Sequence, residues 1–317
     1  METNRGLGRG INFGNALDAL DGGPELPLAE RWFDEVAAAG FDTIRLPVRW
    51  SAHAGSRPPY AIDPAFFRRV DAGVHAALDR GLRVVVDVHH YAELCAAPDE
   101  HLPRFLALWR QIAARYAGHS GRLCFELLNE PRDRLTASRW NAVLAAALAA
   151  VRDADPGRTV IVGPAGMNSP GALRALAVPE EGNLIATVHY YAPFEFTHQG
   201  AGWVEGAHRW LGHTWGGAAD EAAVRDDLAE VAAWGRERGL PVFIGEFGAF
   251  SAADMASRAR WTAFVRAEAE RLGLSWAYWE FGTDFGAYDP VCAKWREPLR
   301  QALLGEPALA AGSDFRR

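Results

Sequence analysis

Glu130 and Glu246 each close a short apolar run of the kind that forms a buried strand. The first is Leu123-Cys124-Phe125-Glu126-Leu127-Leu128-Asn129-Glu130-Pro131 and the second is Pro241-Val242-Phe243-Ile244-Gly245-Glu246-Phe247-Gly248. A carboxylate that leaves water without a partner costs several kcal/mol, so two of them at strand ends call for a reason. Cleavage of a glycosidic bond supplies one, because it needs a proton donor and a nucleophile facing one another. In that chemistry Glu246 attacks the anomeric carbon. Glu130 protonates the departing oxygen and later takes a proton from the incoming water. The acid must hold its proton when substrate binds, so Glu130 is expected to titrate above a free glutamate. Glu246 must be ionised, and Arg45, inside Phe41-Asp42-Thr43-Ile44-Arg45-Leu46-Pro47-Val48, is the natural cation to keep it so. The competing assignment for Arg45 is a structural ion pair with Asp42 or Asp87.

Further polar residues fall where apolar runs stop: Asn15 and Asp18, then Asp87, His89 and His90, then Asn129, then His189, Tyr190 and Tyr191, and finally Trp279 and Glu280. Asn129 carries donors and an acceptor that suit a sugar hydroxyl. Tyr191 is placed to hydrogen-bond the nucleophile, and the Trp279 indole to lie under a sugar ring. His89, His90 and His189 with a carboxylate could instead hold zinc. No His-x-His pair and no strand-end lysine supports that, so hydrogen bonding to sugar is preferred, with no metal and no cofactor.

The elements that must position these residues repeat one idea. Strands are predicted at Gly10–Phe13, Thr43–Leu46, Arg83–Val88, Leu123–Leu128, Thr159–Val162, Leu184–Val188, Val242–Gly245 and Ser275–Trp279. Each is nearly all apolar, as for parallel strands covered on both faces. Helices are predicted between them from apolar residues spaced three and four apart, at Leu28–Ala39, Pro64–Arg80, Asp99–Tyr116, Thr136–Asp153, Pro170–Ala177, Glu221–Arg238, Ala253–Arg271 and Lys294–Leu304. Gly40, Gly81 and Gly273 stop three of them. Eight strand–helix units in 317 residues predict a single-domain α/β protein, a (β/α)8 barrel whose strand ends share one face. An open doubly wound sheet would more naturally carry a glycine-rich phosphate loop after its first strand, and none is made here. Residues 306–317 read as a loose tail. Tyr190 to Ala219 has no helical pattern but holds Phe194, Phe196, Trp203, Trp210 and Trp215, which extend a sugar platform or pack the loop.

Composition narrows the partners. A net charge of −7 argues against nucleic acid or an anionic membrane as the main partner. The 3 cysteines, Cys95, Cys124 and Cys292, form no CxxC pair and no disulfide framework, with Cys124 read as core. The opening Met-Glu-Thr-Asn-Arg-Gly has no apolar signal region. The chain as given therefore reads as cytoplasmic, or as secreted with its signal removed. A monomer acting on a polysaccharide or oligosaccharide is expected.

Taken in order, Arg45, His89-His90, Asn129-Glu130-Pro131, His189-Tyr190-Tyr191, Gly245-Glu246-Phe247-Gly248 and Trp279 resemble glycoside hydrolase family 5, the retaining β-glycanases. The likeness runs from Gly8 to Leu304. Gly10-Ile11-Asn12-Phe13-Gly14-Asn15-Ala16-Leu17 and Tyr190 through Gly200 are similar to the bacterial endoglucanases of this family, above all a compact thermophilic type that cleaves both β-1,4-glucan and β-1,4-mannan. The resemblance implies that Glu130 is the acid/base and Glu246 the nucleophile. It also implies that Asn15, His89, His90, His198, Trp203 and Glu280 line sugar subsites. Asp18 stands where that pattern has a glutamate. An endo-acting cellulase with mannanase activity is the leading expectation. An exo-acting β-glucosidase or β-mannosidase and a non-hydrolytic carbohydrate-binding barrel are the alternatives.

Overall fold

The computed structural model describes residues 6–23 and 25–305. The tail expected over 306–317 lies outside the described residues. Eight strands, β1 (Arg9–Asn12), β2 (Thr43–Leu46), β3 (Arg83–Asp87), β4 (Leu123–Glu126), β5 (Val160–Val162), β6 (Leu184–Tyr190), β7 (Val242–Phe247) and β8 (Ser275–Tyr278), pair in parallel and in order. β8 returns to β1 and closes the barrel. The helices are α1 (Glu30–Ala39), α2 (Pro64–Asp79), α3 (Ala92–Ala96), α4 (Pro98–Tyr116), α5 (Ala137–Ala154), α6 (Phe194–Thr197), α7 (Ala218–Arg238), α8 (Met255–Arg271) and α9 (Glu297–Leu304).

Side chains alternate across each strand, which gives two cores. Val85, Cys124, Ile161, Ile185, Phe243 and Ala277 fill the barrel interior with Leu7. Ile44, Val84, Val86, Phe125 and Ile244 face outward against Val70, Leu108, Leu144 and Val265 of the helices. Local signals start and stop the helices. Asp63 caps α2 by accepting from the Ala65 amide at 2.7 Å, with Pro64 in the first turn. Gly40 ends α1 at φ 97°.

Two predicted helices and one predicted loop changed. Pro170–Ala177 is only a 3-10 turn, Pro170–Ala175. Lys294–Leu304 begins at Glu297, because Lys294–Trp295 (β10) pairs with Tyr288–Asp289 (β9) and Trp295 packs on Phe41 and Phe281. The 190–219 connection carries α6 and a 3-10 turn at Ala207–Trp210. Here aromatic packing overrides the local pattern.

Register explains the polar layer. Arg45 lies level with Val85, and Val85 with Cys124, both inward-facing. Two residues further along, Asp87 pairs with Glu126, so these carboxylates point inward one layer above. Glu246 arrives differently. The pairing of β6 with β7 runs Val188↔Ile244 and then His189↔Glu246, which leaves Gly245 as an extra residue. This bulge turns Glu246 to the interior, where strict alternation from Phe243 would have sent Gly245. A Cβ on Gly245 would stand 2.7 Å from Thr187 Oγ1 and 3.3 Å from His189 Nε2, so the bulge needs glycine.

Candidate active site

Arg45 is fully buried at the centre of the strand ends. Nε and Nη2 fork onto Glu126 at 2.8 and 2.9 Å. Nη1 donates to Glu246 Oε1 at 2.8 Å and to Asn12 Oδ1 at 2.9 Å. Nη2 also donates to Asn129 Oδ1 at 2.8 Å and lies 2.8 Å from Asp87 Oδ2. The two sequence assignments of Arg45 therefore both hold in part. It pairs with Asp87 and with Glu246, whereas Asp42 accepts from the Arg9 amide at 2.9 Å. Such a cluster is stable only while the cation is present. Arg45→Leu should lower unfolding stability by about 3–5 kcal/mol in urea titrations near pH 8. The loss should shrink near pH 5, because Asp87, already pushed up to about 6 by burial, escapes its charge by protonation. A loss under about 1 kcal/mol at the higher pH would contradict this role.

Glu246 holds a cation on one oxygen and a phenol on the other. Tyr191 donates to Oε2 at 2.9 Å. Burial raises the Glu246 pKa, and Glu130 adds to the rise, while His189, Arg45 and Tyr191 oppose it. Glu130 lacks such direct cation contact among the described residues, its partner being His189 Nδ1 at 2.8 Å. Burial pushes Glu130 up to about 7 against the charges of Arg132 and Arg45, with Glu126 helping. Glu130 thus keeps its proton to higher pH than an ordinary carboxyl, while Glu246, with a cation on one oxygen and a phenol on the other, is the better supported anion of the two. Burial lowers the His189 pKa, which favours the neutral ring. With the Asn168 amide donating to its Nε2 at 3.4 Å, we assign its proton to Nδ1, facing Glu130. Glu130 sits at φ 47°, in the left-handed region that a non-glycine side chain adopts at a cost of about 1–3 kcal/mol. Glu130, His189 and Glu246 each offer a ligand atom within 4.8 Å of the others, which brings the two carboxylates that close.

The remaining strand-end residues surround this pair. Asn129 gives its oxygen to Arg45, which leaves its amide hydrogens without a partner among the described residues. Because β3 ends at Asp87, both His89 and His90 face the cleft, and Asp18 lies 3.9 and 3.7 Å from their Nε2 atoms. His89 stacks parallel to Trp279 with ring centroids 5.8 Å apart. Gly14 is glycine because a Cβ there would come within 2.9 Å of the Trp279 ring.

This ordered set lies on a closed eight-stranded barrel, and residues 12–284 match the family described as Cellulase (glycosyl hydrolase family 5). The chain belongs to glycoside hydrolase family 5. Endoglucanase H of Acetivibrio thermocellus is 35% identical over 301 residues, covering 95% of this chain but 32% of that protein. The chain thus spans about a third of that relative's length, and 66% of Endoglucanase B of Clostridium cellulovorans, at 29% identity. Thermotoga maritima Cel5A in complex with cellobiose superposes at a TM-score of 0.92 with 47% identity, covering 95% of this chain and 98% of that one. Cel5A in complex with mannotriose gives 0.92 at 46% identity and the same coverage.

The residues expected to line sugar subsites are placed unequally. Asn15 donates to the Thr283 hydroxyl at 2.8 Å and ties the loop after β1 to the loop after β8. Glu280 is fully buried. Its Oε1 accepts from the Thr283 amide at 2.8 Å and from the Thr283 hydroxyl, while Oε2 has no partner among the described residues. Burial pushes Glu280 up to about 7. His198 is bonded by Thr197 at 2.9 Å, stacks on Phe194 at 4.0 Å and touches the Tyr191 ring edge-on at 5.0 Å. Trp203 is 59% exposed beside Phe250, whereas Trp215 is 3% exposed against Phe264. Trp215 is therefore loop packing rather than platform. Trp210 meets Phe194 edge-on. Sequence reasoning missed Glu126 and Asn12. The signal for Glu126 was present, a charge inside an apolar run, and it is the same signal that singled out Arg45.

Proposed function

We propose that the chain hydrolyses β-1,4-glucan internally, with retention of configuration, and also accepts β-1,4-mannan. The observation that carries the mechanism is that Glu130 and Glu246 share one imidazole, His189 Nδ1 lying 2.8 Å from the first and 3.4 Å from the second, with carboxylate oxygens within 4.8 Å of one another. Retaining enzymes hold their carboxyls about 5–5.5 Å apart, whereas inverting ones leave about 6.5–9.5 Å for a water. Glu246 attacks the anomeric carbon and forms a glycosyl-enzyme as Glu130 gives its proton to the leaving oxygen. Glu130, now a carboxylate, takes a proton from water, which attacks the same carbon and frees Glu246. Arg45 and Tyr191 keep the nucleophile ionised and fixed before each turn. The amide hydrogens of Asn129 are offered to the sugar hydroxyl next to the reacting carbon, and Trp279 lies beneath the ring.

Glucan and mannan differ in the direction of that hydroxyl, and the relatives support both substrates, one by its name and one by its mannotriose complex. An exposed aromatic rim, with Phe194 at 44% and Trp203 at 59%, supports binding of a long chain rather than of one terminal sugar. Comparison of kcat/KM on cello- and manno-oligosaccharides of equal length tests the substrate reading. Turnover of both series, rising with length beyond the disaccharide, is expected. Release of single terminal sugars from the shortest substrates only would favour the exo reading. Activity on carboxymethyl cellulose should also survive dialysis against EDTA, because every step is carried by side chains. Loss of activity that zinc restores would overturn the two-glutamate reading.

A further inference from the structure

Asp18 is a buried carboxyl group that the two-glutamate chemistry leaves unexplained. It is 1% exposed, and neither carboxylate oxygen accepts a hydrogen bond among the described residues. Burial raises its pKa well above the usual carboxylate range, and the charges of Asp87 and Glu280 add to the rise against the amides of Asp18 and Asn15. No arginine or lysine pairs with it among the described residues. It faces the imidazoles of His89 and His90, with the carboxyl groups of Asp87 and Glu280 near enough to act on its charge. Such an orphaned group costs about 1–3 kcal/mol or more, which a ligand could recover.

The two imidazoles are set up to supply lone pairs. His89 Nδ1 lies 2.7 Å from Asp87 Oδ2, and Asp87 is anchored on Arg45, so we assign the ring proton to Nδ1. Nε2 of His89 then carries its lone pair toward Asp18 Oδ2, 3.9 Å away. A carboxylate behind a histidine is the arrangement that orients metal-ligating imidazoles. His90 Nε2 lies 3.7 Å from the same oxygen, and all three donor atoms fall within 4.8 Å of one another.

We propose that Asp18, His89 and His90 form a site for one divalent transition-metal ion of the zinc type, open to the cleft. Zinc takes nitrogen and oxygen donors at about 2.0–2.2 Å in a tetrahedron, which sets neighbouring donors about 3.3–3.5 Å apart. The separations of 3.7 and 3.9 Å close to this with movements of about half an ångström, and His90, whose side chain is 30% exposed, has room to turn. Calcium and magnesium favour larger all-oxygen sets and fit poorly. The triad of Glu130, His189 and Glu246 is a weaker competitor, because Arg45 lies 2.8 Å from Glu246 and repels a second cation. The ion has no part in hydrolysis. Once bound, it occupies the two ring nitrogens that would otherwise meet a sugar hydroxyl.

Calorimetric titration of the full chain with zinc chloride, after EDTA treatment and removal of the chelator, needs no substrate and so tests this site apart from the glycanase reading. One equivalent should bind. Asp18→Asn and His90→Gln should each weaken binding at least about tenfold, and His90→Gln changes a partly exposed side chain that the fold tolerates. Glu130→Gln should bind zinc as the unaltered chain does. No saturable binding up to millimolar zinc, or equal affinity in both site variants, would overturn the assignment. So would loss of binding in Glu130→Gln alone, which would move the ion to the other triad.

Discussion

Glu246→Ala abolishes turnover, with kcat falling on the order of 10⁴-fold or more, and azide restores part of it on aryl glycosides with good leaving groups. The expectation follows from the position of the carboxylate. Its two oxygens are held by Arg45 at 2.8 Å and Tyr191 at 2.9 Å, so the group is fixed as well as charged. Nothing beside it replaces the nucleophile, since Glu126 is forked onto Arg45 and Asp87 serves the same cation. Truncation leaves a space below the anomeric carbon that a small anion can enter. Azide attacking from there displaces a β-linked aryl group once, so the product is the α-glycosyl azide. Substantial turnover of the alanine variant without azide, or a β-azide product, is the result that removes Glu246 from the role.

Glu130→Gln separates substrates by their leaving groups. On cello-oligosaccharides, whose departing alkoxide needs a proton, kcat/KM should fall roughly 10²–10⁴-fold. Aryl glycosides with acidic phenols should lose far less, since their leaving group departs unprotonated. The amide oxygen can still accept from His189 Nδ1, so the loss reflects the missing proton more than a displaced side chain. The pH profile gives a second reading. Glu130 is pushed up to about 7 by burial, so kcat/KM of the unaltered enzyme should decline as pH rises through that value. Proton donation is present below this pKa and lost above it. Equal losses on both substrate types, or an alkaline limb kept in the glutamine variant, would show that another group supplies the proton.

The barrel was legible because parallel strands covered on both faces read as apolar runs, and Val84-Val85-Val86 is a clear example. Glu130, Glu246 and Arg45 stood out by contrast, as charges among those runs. What escaped reading depends on register between strands far apart in sequence. Glu126 sat in plain view, but its pairing with Asp87 and its fork on Arg45 arise only when β2, β3 and β4 lie side by side. Gly245 read as a strand residue. Its use as the bulge that turns Glu246 inward appears only against β6. The helix expected from Lys294 starts only at Glu297, because Trp295 finds Phe41, Phe281 and Tyr288, partners that no window around it contains. On a strand that continued through them, only one of His89 and His90 could face the interior. The strand stops at Asp87, one residue short of the predicted Val88, and both imidazoles reach Asp18.

The central claim is that Glu130 and Glu246 act by double displacement. Proton NMR of the first minutes of cellopentaose hydrolysis, before the anomers interconvert, tests it most directly. Double displacement predicts that the β-anomer of the new reducing end appears first and the α-anomer only later by mutarotation. Initial appearance of the α-anomer would mean a single displacement by water, and would contradict the role of Glu246 as nucleophile.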